Sequence, residues 1–303
     1  RCGLDVGVLP LGGQDPGGVG GVDQRVVVDW PVAVGDPCRL VGYPTTVSPM
    51  ALVAGKVVMV TGAGSGIGRA ASLLYAAEGA SHVAIVDRDG PGADATLDLL
   101  RSSGGSGVSY EVDVTDEVAV EDLVDGIVEE HGRIDVAFNN AGISHPSTPF
   151  HELGRYAWEE MLAVNLTGVF LCMKHELRHM VEAGSGAIVN TSSGAGVVPA
   201  PGQPHYTAAK HGVLGLTRSA ASEYVRAGIR CNAVLPGLVD TPMIAGEDGV
   251  LSTRAREALK RYTPTGELLQ PEQVAAVAVW LSSDAAGAVN GQSLVVDGGG
   301  ILR

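Results

Sequence analysis

The chain has 303 residues, 45% of them apolar, and a formal charge of -14. That balance excludes a nucleic-acid binder, which needs clustered Lys and Arg for phosphates, and disfavours an anionic membrane surface or acidic carrier protein as partner. No apolar run reaches the roughly 18–20 residues of a spanning helix, so no membrane segment is expected; Cys2, Cys38, Cys172 and Cys231 form no CxxC pair, so no metal site is expected and the thiols read as reduced and cytoplasmic.

Residues 1–49 hold ten Gly and six Pro and lack Lys, Glu and any helical period. They are read as a non-family extension, either a flexible arm or an over-extended gene model with Met50 as the natural start. From residue 55 strand and helix alternate. Strands are expected at Val57–Thr61, His82–Asp87, Val108–Val112, Asp135–Asn139, Ala187–Thr191, Ile229–Leu235 and Ser293–Val296. Helices are expected at Arg69–Glu78, Ala93–Arg101, from Asp116, at 156–181, at 206–226 and at Pro271–Leu281. The third helix carries apolar residues at 120, 123, 124, 127 and 128, the stripe of one buried face. Such alternation predicts an α/β fold, a single Rossmann-type doubly wound domain over 50–303 with a mainly parallel seven-stranded sheet. Its ligand belongs at the carboxyl ends of the strands.

Two features carry chemistry. Gly62, Gly64, Gly66 and Gly68 form a turn between the first strand and first helix, which lets a pyrophosphate approach backbone at a helix N-terminus. Asp87 follows 19 residues after Gly68, at the end of the second strand. There it can accept from both ribose hydroxyls and repel a 2'-phosphate, which favours NAD over NADP, although the Arg88 guanidinium partly offsets the repulsion. The second feature is Tyr206 and Lys210, four apart and so on one helix face. A phenol titrates near pH 10, and a fixed cation beside it favours the phenolate. A tuned phenol with a nucleotide cradle points to hydride transfer coupled to proton transfer at an alcohol or carbonyl carbon.

These residues, taken together, resemble the short-chain dehydrogenase/reductase (SDR) family over roughly 55–300. Thr61-Gly62-Ala63-Gly64-Ser65-Gly66-Ile67-Gly68 resembles its TGxxxGxG turn, Asn139-Asn140-Ala141-Gly142 its NNAG motif, and Tyr206-Thr207-Ala208-Ala209-Lys210 its YxxxK motif. The resemblance implies Ser193, thirteen residues before Tyr206, as catalytic serine over its neighbour Ser192. It implies that Ser193 holds the substrate oxygen, that Tyr206 moves the proton and that Lys210 lowers the Tyr206 pKa and bonds the nicotinamide ribose. Asn165 would bend its helix and hold a proton-relay water. The implied cofactor contacts are Gly62, Ser65, Gly66, Ile67, Gly68, Asp87, Arg88, Asp113, Val114, Asn139, Ala141, Gly142, Tyr206, Lys210, Pro236, Gly237, Val239 and Thr241. The family is commonly tetrameric, which agrees with surplus apolar residues on 156–181 and 206–226 and implies a homotetramer or homodimer.

Segment 238–268 is expected to form a mobile substrate lid, with 143–151 and 194–204 as the other walls. Val197, Val198, Pro199, Pro201, Met243 and Ile244 make these walls mainly apolar, which favours a hydrophobic or alicyclic secondary alcohol or ketone over a sugar phosphate or organic acid. Arg254, Arg256, Lys260 and Arg261 are read as a solvated helix face. The competing readings are an NADPH-dependent 3-oxoacyl-thioester (acyl-carrier-protein) reductase and a catalytically silent dinucleotide-binding sensor. Cys172, Cys231, Met161, Met173 and Met180 are expected in the core, and His205 as a surface or loop histidine.

Overall fold

The computed structural model describes residues 51–245 and 253–302, with the side chains of 245 and 253–256 left aside. The 1–49 extension and residues 246–252 of the expected lid lie outside the described residues. The strands are β1 (Val57–Thr61), β2 (His82–Asp87), β3 (Gly107–Glu111), β4 (Val136–Asn139), β5 (Gly186–Thr191), β6 (Ile229–Pro236) and β7 (Ser293–Val296). They make one sheet in the order β3-β2-β1-β4-β5-β6-β7, and every pairing is parallel. The chain reverses its winding between β1 and β4, and that switch opens a crevice beyond their carboxyl ends.

Both faces of the sheet are covered, and the strand period of two divides the core between them. On one face Val58, Val60, Val83, Ile85, Val136, Phe138 and Val189 pack under α1 (Gly66–Ala77), α2 (Gly90–Ser102) and α9 (Pro271–Ser282). On the other, Val57, Met59, Ala84, Val86, Ala137 and Ile188 pack under α3 (Glu117–His131), α5 (Val169–Ala183) and α6 (Pro204–Tyr224). The α3 stripe behaves as its spacing predicts: Val120, Leu123, Val124 and Ile127 are buried, Asp116 caps the start by accepting from the Val118 and Ala119 amides, and Gly132 closes the end in the left-handed region. Met161, Met173, Met180, Cys172 and Cys231 all lie in the core, where burial pushes the Cys231 thiol up to about 12.

The helix expected over 156–181 is three pieces. α4 (Arg155–Leu162) passes through a π-helical turn at Ala163–Gly168 into α5. The wider turn carries Asn165 and gives the local deformation anticipated at that residue. Between β6 and α9 run the short helices α7 (Pro242–Ala245) and α8 (Thr253–Lys260).

Candidate active site

A cleft of about 850 Å³ opens at the carboxyl ends of β1, β4, β5 and β6. At its β1 end the chain turns at Gly62 with φ +64°, where an added Cβ would come within 2.8 Å of the Ala141 Cα. The Thr61 hydroxyl accepts from the Asn140 amide at 3.0 Å and the Ala141 amide at 3.1 Å, which ties the two strand ends together. α1 then starts with Ser65 as N-cap, but no side chain caps its first amides. Those donors and the positive end of the helix dipole face the cleft through Ser65, Gly66 and Ile67. Arg69 braces the turn from behind, donating to the Gly64 carbonyl and, at 2.9 Å, to the Thr96 hydroxyl. Asp87 is held by backbone: one carboxylate oxygen accepts from the Gly64 amide at 2.8 Å, the other from the Asp89 amide at 2.9 Å. Each oxygen keeps further acceptor capacity, and Asp87 and exposed Arg88 both border the cleft.

At the β5–α6 end Ser193, Tyr206 and Lys210 line the same cleft. Ser193 follows β5 and its hydroxyl accepts from the Ala195 amide at 3.1 Å. Tyr206 is half-buried; its phenol is pushed above its ordinary value by burial, and a hydrogen bond with Ser193 pulls the other way. Lys210 is buried, donates to the Thr191 carbonyl at 3.0 Å and lies 5.6 Å from the Tyr206 ring centre. Burial drops its ammonium to about 8. The anticipated lowering of Tyr206 by Lys210 is therefore not the dominant effect in this geometry: desolvation of both groups outweighs it. Asn165, fully buried, accepts from the Ile143 amide and donates to the Ile143 carbonyl, both at 2.8 Å. A Cβ at Gly142 would sit 2.8 Å from the Asn165 Oδ1 and 3.6 Å from the Lys210 Nζ, so glycine there lets both groups approach the backbone.

A sequence profile described as "Enoyl-(Acyl carrier protein) reductase" matches residues 62–300. The chain belongs to the short-chain dehydrogenase/reductase family. It is 47% identical over 244 residues to cis-4-hydroxycyclohexanecarboxylate dehydrogenase of Sinomonas cyclohexanicum, spanning 80% of this chain and 96% of that relative. The crystal structure of levodione reductase superposes with a TM-score of 0.78 at 37% identity, covering 82% of this chain and 99% of that one. Carveol dehydrogenase from Mycobacterium avium in complex with NAD gives a TM-score of 0.79 at 32% identity, with 83% and 99% covered.

Most of the expected site residues of this dehydrogenase/reductase border the cleft, including Asp113, Val114, Ala141, Gly142, Pro236, Gly237, Val239 and Thr241. Three stand behind it. Gly68 is buried, and a Cβ there would run into the Gly62 carbonyl, so it serves close packing of helix on strand. Asn139 points into the sheet interior, donating to Glu176 at 3.0 Å and Asn190 at 3.1 Å, while Asn140 takes the cleft position. Asn165 acts on the cleft through Ile143. Ser192 is buried and donates to the Lys210 carbonyl at 2.8 Å, so its hydroxyl is committed to α6. His205 is also corrected: it has no exposed surface.

Beyond Tyr206 this SDR cleft is lined by Ile143, Ser144, Val198, Pro199, Gln203, Met243 and Ile244, and Tyr262. Val197 and Pro201 are exposed. Asp297, Gly300 and Ile301 complete the wall and escaped sequence reasoning. The Asp297 carboxylate accepts from the Gly299 amide at 2.8 Å and the Ile301 amide at 2.6 Å, which folds this segment into a turn. Asp297 two residues before Gly299 is the only local signal of it. Lys260 pairs with Glu257 at 3.2 Å and Glu267 at 2.8 Å, away from the cleft lining, and Arg261 is exposed.

Proposed function

We propose that this SDR oxidoreductase interconverts a hydrophobic or alicyclic secondary alcohol and its ketone with NAD(H). The observation that carries the reading is the meeting of Ser193, Tyr206 and Lys210 at one end of a cleft whose other end presents Asp87 and the uncapped start of α1. The uncapped amides at Gly66 and Ile67 suit a pyrophosphate, with Gly62 and Ser65 beside them. Asp87 retains acceptor capacity for the ribose hydroxyls and would repel a 2'-phosphate, with Arg88 a partial counterweight. Asp113, Val114, Ala141 and Gly142 would flank the adenosine half, and Pro236, Gly237, Val239 and Thr241 the nicotinamide half.

Bound there, NAD(H) supplies the hydride acceptor or donor. The Ser193 hydroxyl holds the substrate oxygen, and Tyr206 takes the hydroxyl proton in oxidation or returns it in reduction. For that the phenol must work against its own burial. The Ser193 bond and the Lys210 ammonium both favour the phenolate. Asn165 joins this set by locking Ile143 and flanking Gly142 opposite Lys210, a position suited to a proton path from the lysine. Orientation of the alcohol carbon by these fixed groups supplies much of the rate.

The wall of Ile143, Val198, Pro199, Met243, Ile244 and Ile301 is apolar, and among its described residues no cationic side chain is present to receive an acid. A neutral ring fits it, in keeping with relatives named for levodione and carveol; the relative named for a hydroxycyclohexanecarboxylate shares the ring and adds a carboxylate. The chain is further proposed to self-associate through α4–α5, where Tyr156, Phe170 and Val181 are 77%, 47% and 43% exposed. Fluorescence titration with NADH and NADPH, followed by assay of cyclohexanol oxidation, tests the function. Tighter NADH binding with turnover is expected. Tighter NADPH binding with turnover of a 3-oxoacyl thioester would replace the reading.

A further inference from the structure

The stretch 143–149 joins β4 to the helices ahead of Asn165, and its first residues, Ile143 and Ser144, border the substrate end of the cleft. It is stitched to the start of α6. The Gln203 side chain donates to the His145 carbonyl at 2.7 Å, and the Thr148 amide donates to the Gly202 carbonyl at 2.8 Å. A third link runs through side chains. His145 Nε2 lies 3.3 Å from a Glu160 carboxylate oxygen on α4, and His145 Nδ1 lies 3.2 Å from His205 Nε2 on α6, with the rings 5.2 Å apart. His205 immediately precedes Tyr206 and has no exposed surface, and its Nδ1 is buried without a partner.

These partners select one arrangement of protons. The Glu160 carboxylate is an acceptor and carries no hydrogen, so its closeness favours the His145 tautomer with hydrogen on Nε2. In a neutral ring His145 Nδ1 is then an acceptor, and His205 Nε2 must be the donor. That leaves the orphaned His205 Nδ1 as a bare lone pair, the less costly form of an unpartnered buried nitrogen. A further proton has no good place. On His205 it creates a buried N–H with no acceptor. On His145 it puts two donors face to face, unless His205 changes tautomer and again buries an orphan N–H.

We propose that His145 and His205, bridged to Glu160, form a proton-sensitive latch that positions the substrate-facing stretch 143–149 against the first turn of α6. Both histidines are positioning residues. The proposal rests on the reading of the Tyr206 cleft as the active site. The latch is closed when both rings are neutral and released by one proton. Other groups around it are few. Between Ile143 and Pro149, and between Gly194 and Gln203, no other residue titrates. On α4, Arg155 and Glu159 are exposed and paired with each other at 2.7 Å. On α6, Tyr206 and Lys210 are the next titratable groups, and His211 is exposed and bonded to the Thr207 carbonyl at 2.9 Å. Burial, then the neighbouring His145, push His205 below the ordinary histidine value. A base depressed in the closed state favours closure above its open-state value, about 6.5, and loses that contribution as pH falls below it.

The experiment follows kcat and KM for cyclohexanol, together with hydrogen-exchange protection of 143–149 corrected for intrinsic rates, from about pH 8 down through the histidine range. KM is expected to rise below about 6.5, by at most about tenfold per pH unit for one proton, and protection of the stretch should fall in parallel. His145→Gln keeps an N–H beside Glu160 but removes the ring that adds to the depression of His205, so it should shrink both changes while burial of His205 still sustains a part of them. A His145→Gln variant with the full wild-type acid limb, or unchanged protection across the range, would overturn the latch. The exchange readout needs no turnover, so a chain that fails to oxidise cyclohexanol would count against the proposed function while the latch is still decided.

Discussion

The two ends of the cleft are built differently. The end around Gly62–Gly68 and Asp87 is made of strand ends, one tight turn and backbone hydrogen bonds, drawn from fewer than about 30 consecutive residues of a βαβ unit. The end beyond Tyr206 is assembled from five separate stretches, around 143, 198, 243, 262 and 300, fastened to one another by side chains such as Gln203, His145 and Asp297. A cradle made of backbone tolerates little variation, because groups such as Gly68 have no room for a Cβ. A wall made of side chains from distant stretches can be exchanged piece by piece. On the proposed function, holding the cofactor falls to the first construction and the choice of substrate to the second.

That contrast can be broken or sharpened by substitution. Tyr206→Phe should have the largest effect, cutting kcat by about 10²–10⁴-fold because the proton-transfer group is gone. NADH should still bind with little change in Kd, and a variant that turns over normally would remove Tyr206 from the chemistry. Lys210→Met should also abolish turnover yet raise Tm at neutral pH, since burial holds the lysine near 8 against an ordinary 10.5. The folded chain bears the cost of that buried charge in full below about 8 and sheds it as pH rises toward 10.5. The gain in Tm, at about 2–4 °C per kcal/mol, should shrink over that window, and calorimetry across it checks the sign. Asp87→Ala should weaken NADH by roughly tenfold to a hundredfold, the range of about 1.5–3 kcal/mol for a charge-assisted hydrogen bond, and weaken NADPH less. Equal losses for the two cofactors, read by fluorescence titration, would show that Asp87 only braces the turn through Gly64 and Asp89. Ile301→Ala should raise KM for a small ring by about tenfold and leave NADH affinity intact, because removed wall methylenes are worth about 1–3 kcal/mol. Deletion of residues 1–49 should have the smallest effect, leaving NADH binding and turnover unchanged; insoluble protein would refute it.

Much of the fold was legible from local pattern. Three of the seven strands, β1, β2 and β7, have the bounds expected, and the others differ by a residue or two at an end, where apolar alternation fades into the turns. The break at Ala163–Gly168 was foreseen only as a bend at Asn165, since a π turn has no distinct side-chain period. Motif spacing singled out Ser193, Tyr206, Lys210 and Asp87, all of which line the cleft. It did not separate cleft residues from those behind them: Asn139 and Asn140 are adjacent, and only strand direction decides which faces the sheet interior. Nor did it find Asp297 and Ile301, or place His205 in the interior, because those positions depend on contacts with residues far away in the chain.

The sequence by itself determined the succession of strands and helices along the chain, a ligand site at the carboxyl ends of the strands, and the family to which the chain belongs. Each follows from short-range features: apolar period, glycines at a turn, and a tyrosine and lysine one helical turn apart. Tertiary structure alone decided how strongly burial opposes the charge on Lys210 and the phenolate of Tyr206, which distant stretches form the cleft wall beyond Tyr206, and how His145, His205 and Glu160 meet. Desolvation and side-chain partners are properties of the packed interior, and no local stretch of sequence contains them.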